Sequence, residues 1–273
     1  MLIIRSVCEL KKELSNLKGE IGFVPTMGAL HNGHISLIEK SKTQNDYTVV
    51  SVFVNPTQFL PNEDFDKYPK NESNDIKICK NLEVDILFMP DKNEIYLENE
   101  PKILAPKNLA NILEGAVRPG HFDGVCMILN KFFNLIKPKR AYFGKKDAQQ
   151  IAVVENLVKT FFMNIEIIPC EIIREADGLA LSSRNSYLDE EQKLYALKLS
   201  RSLLKAQNLI NQGQVDTQMI KSEMKTILEP LKIDYIAFTN KNFQEISKIE
   251  INNTIILVAA VVGTTRLIDN IWI

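Results

Sequence analysis

The sequence predicts an α/β protein, with a Rossmann-like parallel sheet in its N-terminal part and a smaller α+β domain after it. Three observations predict this. Short apolar, β-branched runs alternate with helix-period stretches through the first two thirds of the chain. A turn broken by Pro25 and Gly28 follows one such run and opens a helix pattern. After Asn185 the alternation gives way to helices followed by strands.

Taken in order, the first run is Ile21 to Val24, and Ile35-Ser36-Leu37-Ile38-Glu39-Lys40 beyond the turn reads as helix. Tyr47 to Val54 is continuously β-branched and aromatic, as expected of a strand buried on both faces. Val84 to Met89 and Ile165 to Ile173 look similar, and Arg140 to Phe143 is a shorter strand. Helical stretches lie between them at Glu72 to Leu82, Val125 to Ile136 and Gln149 to Phe162. Right-handed crossovers follow, and ligands of such sheets sit at the carboxyl ends of strands near a switch in strand order. Further on, Asp189 with Gln192 three residues later marks a helix start, and Leu194, Leu197, Leu203, Leu204 and Leu209 continue it. A second helix covers Asp216 to Leu228, and strand-like runs follow at Ile233 to Phe238 and Thr254 to Val262. The domains are therefore expected at residues 1–174 and 175–273.

Composition narrows the function. Lys and Arg total 33 against 34 Asp and Glu, so no overall basic field recruits nucleic acid. The four cysteines are scattered without a C-x-x-C pair, which reads as buried thiols in a reducing cytoplasm. The apolar start at Leu2-Ile3-Ile4 is too short for a signal peptide, and no 18-residue apolar stretch occurs. The expectation is a soluble cytoplasmic protein with no membrane partner.

Two of the three histidines stand in His31-Asn32-Gly33-His34, where the turn meets the helix. Free backbone N–H groups and the helix dipole make such a place an anion site, and two imidazoles suggest phosphate chemistry on a nucleotide. Gly33 leaves room for a flat ring to approach the backbone. The plain alternative is a pair of capping histidines. Gly144-Lys145-Lys146-Asp147 follows a strand and could clamp phosphate oxygens, with Asp147 capping a helix or meeting a ribose, or could be a solvated turn. Ser182-Ser183-Arg184 closes a Gly-led loop, suited to a triphosphate or merely a polar linker. Arg118 and His121 either line a pocket or belong to a Pro/Gly turn. Gln58 follows the best central strand, and Gln150 follows the lysine turn, both placed to hydrogen-bond a small ligand. Asn74 and Asp75 are candidates to meet a magnesium ion.

The ordered set Pro25-Thr26-Met27-Gly28-x-Leu30-His31-x-Gly33-His34, Val54-Asn55-Pro56-x-Gln58-Phe59, Tyr68-Pro69, Arg118-Pro119-Gly120-His121-Phe122, Gly144-x-Lys146-Asp147-x-Gln149-Gln150 and Asp177 to Asn185 resembles the pantothenate synthetase family. Arg266-Leu267-Ile268-Asp269-Asn270 fits the end of that family as well. The resemblance spans almost the whole chain. It implies a HIGH-motif nucleotidyltransferase that joins pantoate to β-alanine with ATP through a pantoyl-adenylate, releasing AMP and pyrophosphate. It implies that Met27, Gly28, Ala29, Leu30, His31, Asn32, Gly33 and His34 bind ATP, as do Gly144, Lys145, Lys146, Asp147, Ile173, Leu181, Ser182, Ser183 and Arg184. His31, His34, Lys146, Ser182, Ser183 and Arg184 take catalytic roles, and Gln58 and Gln150 hold pantoate. The resemblance further implies Mg²⁺ accompanying ATP, with Asp75 as its protein contact, a homodimer, and a small C-terminal domain acting as a lid. Lys145 stands where Glu is more frequent, Thr57 where Met is common, and Asn74 where an acidic residue is frequent. Two rivals are a nucleotidyltransferase that stops at adenylyl transfer to another acceptor and a non-catalytic nucleotide sensor. An RNA-binding role lacks a basic stripe.

Overall fold

Alternation becomes a six-stranded parallel sheet in the order β1-β4-β3-β2-β5-β6. The computed structural model describes residues 1–61 and 63–273. In chain order the elements are β1 (Leu2–Ile4), α1 (Val7–Asn16), β2 (Ile21–Thr26), α2 (Asn32–Gln44), β3 (Tyr47–Val52) and α3 (Glu72–Asn81). There follow β4 (Ile86–Phe88), α4 (Lys92–Ile95), α5 (Lys107–Ala110), α6 (Leu113–Val117), α7 (His121–Ile136), β5 (Arg140–Gly144), α8 (Ala148–Thr160) and β6 (Glu166–Cys170).

Several bounds differ from expectation. The strand expected to stop at Val24 continues through Pro25 and Thr26. Proline is tolerated there because β5 pairs with β2 only at Gly22 and Phe23, so no ladder bond needs the Pro25 N–H. β3 stops at Val52, short of Val54, where the chain enters a 3-10 turn at Pro56–Gln58. β6 ends at Cys170 rather than Ile173. β1, α1 and the short helices α4 to α6 were not expected. β1 is only three residues of edge strand, paired from Leu2↔Ile86 to Ile4↔Phe88, too short to show a period.

Side chains alternate across the sheet, so β2 feeds two separate apolar layers. Phe23 meets Phe132 and Phe133 of α7 edge-to-face, with ring centroids 5.9 and 6.3 Å apart, and Phe53 and Phe88 join them on Phe132. On the opposite face Val24 packs with Leu37 and Ile38 of α2, Val50, Leu87 and Cys79. This double burial is why the strands read as unbroken apolar runs. β2 has β3 on one side and β5 on the other, so strand order reverses at β2. The crevice at its carboxyl end is where such sheets bind ligands.

The chain divides into two compact units, residues 1–144 with 149–170, and residues 145–148 with 171–273. The second unit contains α9 (Glu190–Asn211), α10 (Thr217–Leu228), β7 (Lys232–Asn240), β8 (Thr254–Val262) and β9 (Thr265–Trp272). Its antiparallel sheet runs β7-β8-β9. The Asp189–Gln192 capping box forms as the sequence predicts, with the Gln192 N–H 2.8 Å from Asp189 Oδ1. Leu197, Leu203, Ile220 and Met224 of the helices pack with Ile256 and Val258 of β8. Of the cysteines, Cys79, Cys126 and Cys170 are buried thiols. Cys8 corrects that expectation, because it lies exposed on α1, of whose residues only Leu10 is buried. Among the described residues, no helix is long and apolar enough to cross a membrane.

Candidate active site

β2 delivers the chain to the glycine turn. Thr26 Oγ1 donates to the Ser51 carbonyl at 2.7 Å and accepts the Gly28 N–H at 3.2 Å. Gly28 has φ +89°, and a Cβ there would lie 3.0 Å from Val52 Cγ1 and 3.1 Å from Asp75 Oδ2, so the turn requires glycine. Asp75, 1% exposed on the first turn of α3, closes the far side. Its Oδ2 accepts the Ala29 N–H at 3.0 Å and its Oδ1 accepts the Leu30 N–H at 2.7 Å. Burial pushes this carboxyl above its usual range, opposed by those two bonds.

The N–H groups of Gly28, Ala29 and Leu30 thus each donate within the protein. Both oxygens of Asp75, the carboxylate considered for magnesium, pin the turn. Among the described residues, no group of three His, Cys, Asp or Glu lies close enough together to hold a metal.

What the turn offers instead is imidazole. His31 Nδ1 accepts the Gly33 N–H at 3.1 Å, and His34 Nδ1 accepts the His31 N–H at 3.3 Å, a capping box built from two histidines. The ring centroids stand 4.2 Å apart. An Nδ1 that accepts carries no proton, so each neutral ring holds its hydrogen on Nε2. Capping and chemistry are thus not alternatives here. One nitrogen caps α2, and the other becomes a donor.

Gln58 ends the 3-10 turn after β3 and is held at several points. Asn55, 1% exposed, donates from Nδ2 to Gln58 Oε1 and to the Gly124 carbonyl, both at 3.0 Å. Its Oδ1 accepts from the Tyr96 hydroxyl at 2.6 Å and from Thr57 Oγ1 at 3.0 Å. With Gln58 Oε1 accepting from Asn55, the amide presents its NH₂ end as the donor. His121 Nδ1 lies 2.8 Å from the Gln58 carbonyl, and Arg118 Nη1 lies 3.1 Å from His121 Nε2. A carbonyl only accepts and a guanidinium only donates, so His121 is the neutral Nδ1–H tautomer. Burial, reinforced by Arg118, pushes its pKa down to about 4. Arg118 also grips Glu63 bidentately at 2.6 and 2.7 Å; burial pushes that carboxyl up, but the guanidinium outweighs it and the net shift is downward. Arg118 and His121 therefore hold the Gln58 segment. A Cβ on Gly124 would sit 2.2 Å from the Thr57 carbonyl, so this glycine lets α7 approach that segment. Gln149 is structural, donating to the Leu109 and Ile112 carbonyls and accepting the Glu114 N–H. Gln150, next to it on α8, is half-buried.

In the second unit, Lys145, Lys146 and Asp147 form a single 3-10 turn. Asp147 Oδ1 lies 3.6 Å from Lys146 Nζ. Lys145 pairs with Glu171 and sits over the Trp272 ring, 5.4 Å from its centroid. The Ile173 carbonyl accepts the Leu181 N–H at 3.0 Å, closing a narrow turn that presents Ser182, Ser183 and Arg184. Ser182 Oγ caps the 3-10 turn Ser183–Tyr187 by accepting the Arg184 N–H at 3.3 Å. Asn185 braces the loop from within, donating to Glu175 and to the Ala180 carbonyl at 3.1 Å each.

Sequence reasoning missed Asn55, Glu63 and Tyr96 as supports of Gln58. Asn55 carried a usable signal, a polar residue closing the apolar and β-branched run that starts at Tyr47. Glu63 and Tyr96 carried none, because their partners are 55 and 41 residues away in the chain.

The family model described as Pantoate-beta-alanine ligase matches residues 2–272. A "Pantothenate synthetase" of Campylobacter fetus subsp. fetus is 63% identical over 273 residues, all of both chains. A crystal structure of pantoate-beta-alanine ligase (pantothenate synthetase) from Thermus thermophilus superposes with a TM-score of 0.95 at 38% identity, covering 100% of this chain and 99% of that one. A pantoate-beta-alanine ligase from Francisella tularensis, complexed with beta-gamma ATP and beta-alanine, gives 0.82 at 39% identity, covering 100% and 97%.

Proposed function

Because the chain belongs to the pantoate-beta-alanine ligase family, we propose that His31, His34, Lys146, Ser182, Ser183 and Arg184 carry the phosphate chemistry of its reaction. The enzyme joins pantoate to β-alanine in an ATP-dependent ligation that passes through an adenylate. A pantoate carboxylate oxygen bonds to the α-phosphorus of ATP as the bond to pyrophosphate breaks. The neutral amine of β-alanine then bonds to the carbonyl carbon, AMP leaves, and a proton is released. The observation that carries the assignment of roles is the histidine capping box. It orients both rings with Nε2–H as the donor, the polarity suited to phosphate oxygens on which charge accumulates.

Lys146 and Arg184 supply positive charge to the leaving pyrophosphate, and the hydroxyls of Ser182 and Ser183 bond its oxygens. The segments 27–34, 144–147, Ile173 and Leu181 line ATP. Gln58 donates its NH₂ to pantoate, as the Asn55 contact supports, and Gln150 is the second pantoate contact. Residues 1–174 bind ATP and pantoate, and 175–273 act as the lid that keeps water from the adenylate. Mg²⁺ arrives on ATP. The described residues do not fit a resident metal, since the one candidate carboxylate already serves two backbone N–H groups. The enzyme acts as a cytoplasmic homodimer, which light scattering at assay concentration tests.

The deciding experiment is mass spectrometry of products from Mg-ATP and pantoate, with and without β-alanine. Pantoyl-adenylate without the amine, and pantothenate with AMP when it is present, are the expected products. His34→Ala and Lys146→Ala that form adenylate at the wild-type rate would overturn the assigned roles.

A further inference from the structure

Asn270 lies in the edge strand β9 and is 2% exposed, yet its side chain is turned onto the backbone of the lysine turn. Nδ2 donates to the Lys145 carbonyl at 2.9 Å and to the Lys146 carbonyl at 2.8 Å. The amide cannot flip, because the Trp272 indole N–H donates to its Oδ1 at 3.0 Å. Two successive carbonyls are thereby held by one side chain. The neighbouring Asp269, 3% exposed, holds the other cationic segment. Its two oxygens accept Arg174 Nη1 at 2.7 Å and Nη2 at 2.9 Å, and Arg174 also donates to the Gly178 carbonyl at 3.1 Å. Arg174 pairs with Ala180 across the narrow turn that leads to Ser182–Arg184. Asp269 Oδ1 in addition accepts the Asn270 N–H at 2.8 Å.

We propose that Asp269 and Asn270 are positioning residues that set the Lys145–Lys146 turn and the base of the Ser182–Arg184 loop in register with each other, with Trp272 locking the Asn270 amide. The geometry suits that task. Consecutive positions on one strand differ by a fixed rise of about 3.2–3.4 Å, so two loops tied to adjacent residues of β9 cannot shift independently. Asp269 is engaged by a bidentate guanidinium, the pairing with the strongest directional preference. Asn270 directs both donor hydrogens to the two residues whose side chains carry the phosphate-site ammonium groups. The inference rests on Lys146 acting on ATP.

The test compares Asn270→Ala, Asn270→Asp, Trp272→Phe and Lys146→Ala, each checked by circular dichroism, in steady-state assays varying ATP and pantoate separately. Asn270→Ala is expected to lower kcat at least tenfold and to leave KM for pantoate within twofold. Asn270→Asp, isosteric but facing two carbonyls with oxygens alone, is expected to be at least as impaired. Trp272→Phe keeps an aromatic ring, removes the N–H, and is expected to lose about two- to fivefold. Trp272 is the chain's single tryptophan, so its fluorescence reports on the turn without catalysis. Adding α,β-methylene-ATP to the wild type is expected to change that emission, and Lys146→Ala to abolish the change. Folded Asn270→Ala with kcat within twofold of wild type overturns the proposal. If Asn270→Ala does not fold, unchanged kcat in Trp272→Phe, or emission indifferent to the analogue, overturns it instead. Full activity in Lys146→Ala would remove the underlying role of Lys146, an outcome distinct from failure of the clamp.

Discussion

Replacing Asp75 by Asn separates two roles for that carboxylate by experiment. The substitution keeps the size of the side chain and one acceptor oxygen. The new amide would still accept the 2.7 Å bond from the Leu30 N–H but would turn an NH₂ toward the Ala29 N–H, where a carboxylate oxygen now accepts at 3.0 Å. A hydrogen bond to a charged group contributes about 1.5–3 kcal/mol, and an unsatisfied buried donor costs about 1–3 kcal/mol. Relief of the carboxylate's desolvation, the main cause of its raised pKa, offsets part of this. The net loss comes to about 3 kcal/mol. For a chain of this size that corresponds to a fall in Tm of about 6–12 °C. Differential scanning fluorimetry reads it, alongside a Mg²⁺ titration of activity at fixed ATP. A turn-pinning carboxylate gives a lower Tm and an unchanged Mg²⁺ half-saturation. A metal-binding one gives the wild-type Tm and a Mg²⁺ requirement raised tenfold or more, and that result would refute the reasoning.

His34→Ala is expected to lose on the order of 10²–10³ in kcat, as for removal of one oriented donor; circular dichroism must show it folded, and retention of a tenth of the wild-type rate defeats the prediction. His121 is neutral in the fold, with its pKa pushed to about 4 from 6.5. Between those values the unfolded chain binds more protons, so its contribution is complete above about pH 6.5 and is lost as pH falls toward about 4, to an extent of about 3 kcal/mol. Urea unfolding from pH 7 to 4 should show this slope, and His121→Gln should flatten it. Gly124→Ala places a methyl on the Thr57 carbonyl, with overpacking worth about 1–3 kcal/mol. Displacement of the Gln58 segment should raise KM for pantoate more than KM for ATP, and equal changes in both would count against it.

The central strands were legible because burial on both faces leaves a β-branched, largely apolar run with no polar alternation, as in Tyr47 to Val52. The histidine step was legible because chemistry-bearing residue types are scarce and two of three histidines stand together. What supports those residues was not. Asp75 reaches Leu30 from 45 positions away, and Asn270 reaches Lys146 from 124. Such pairings are created by topology, and nothing local in Asn74-Asp75 or Ile268-Asp269-Asn270 distinguishes a brace from a surface polar residue. The engagement of two N–H groups of the glycine turn was hidden for the same reason, since the carboxylate that accepts them lies on another helix.

The split of the second unit has a consequence for how the molecule comes into being. Lys146 leaves the ribosome 124 residues before Asn270, and at about 5–20 residues per second that interval is roughly 6–25 s. Through that time the Lys145 and Lys146 carbonyls lack their Asn270 donor. All six strands of the parallel sheet leave the ribosome before the β9 side chains that hold the lysine turn. A premature stop that removes β9 would leave the sheet strands and both histidines but take away the Asn270 amide that holds the Lys145 and Lys146 carbonyls. For the same reason a fragment covering residues 171–273 alone lacks the four-residue piece 145–148 that its own fold encloses.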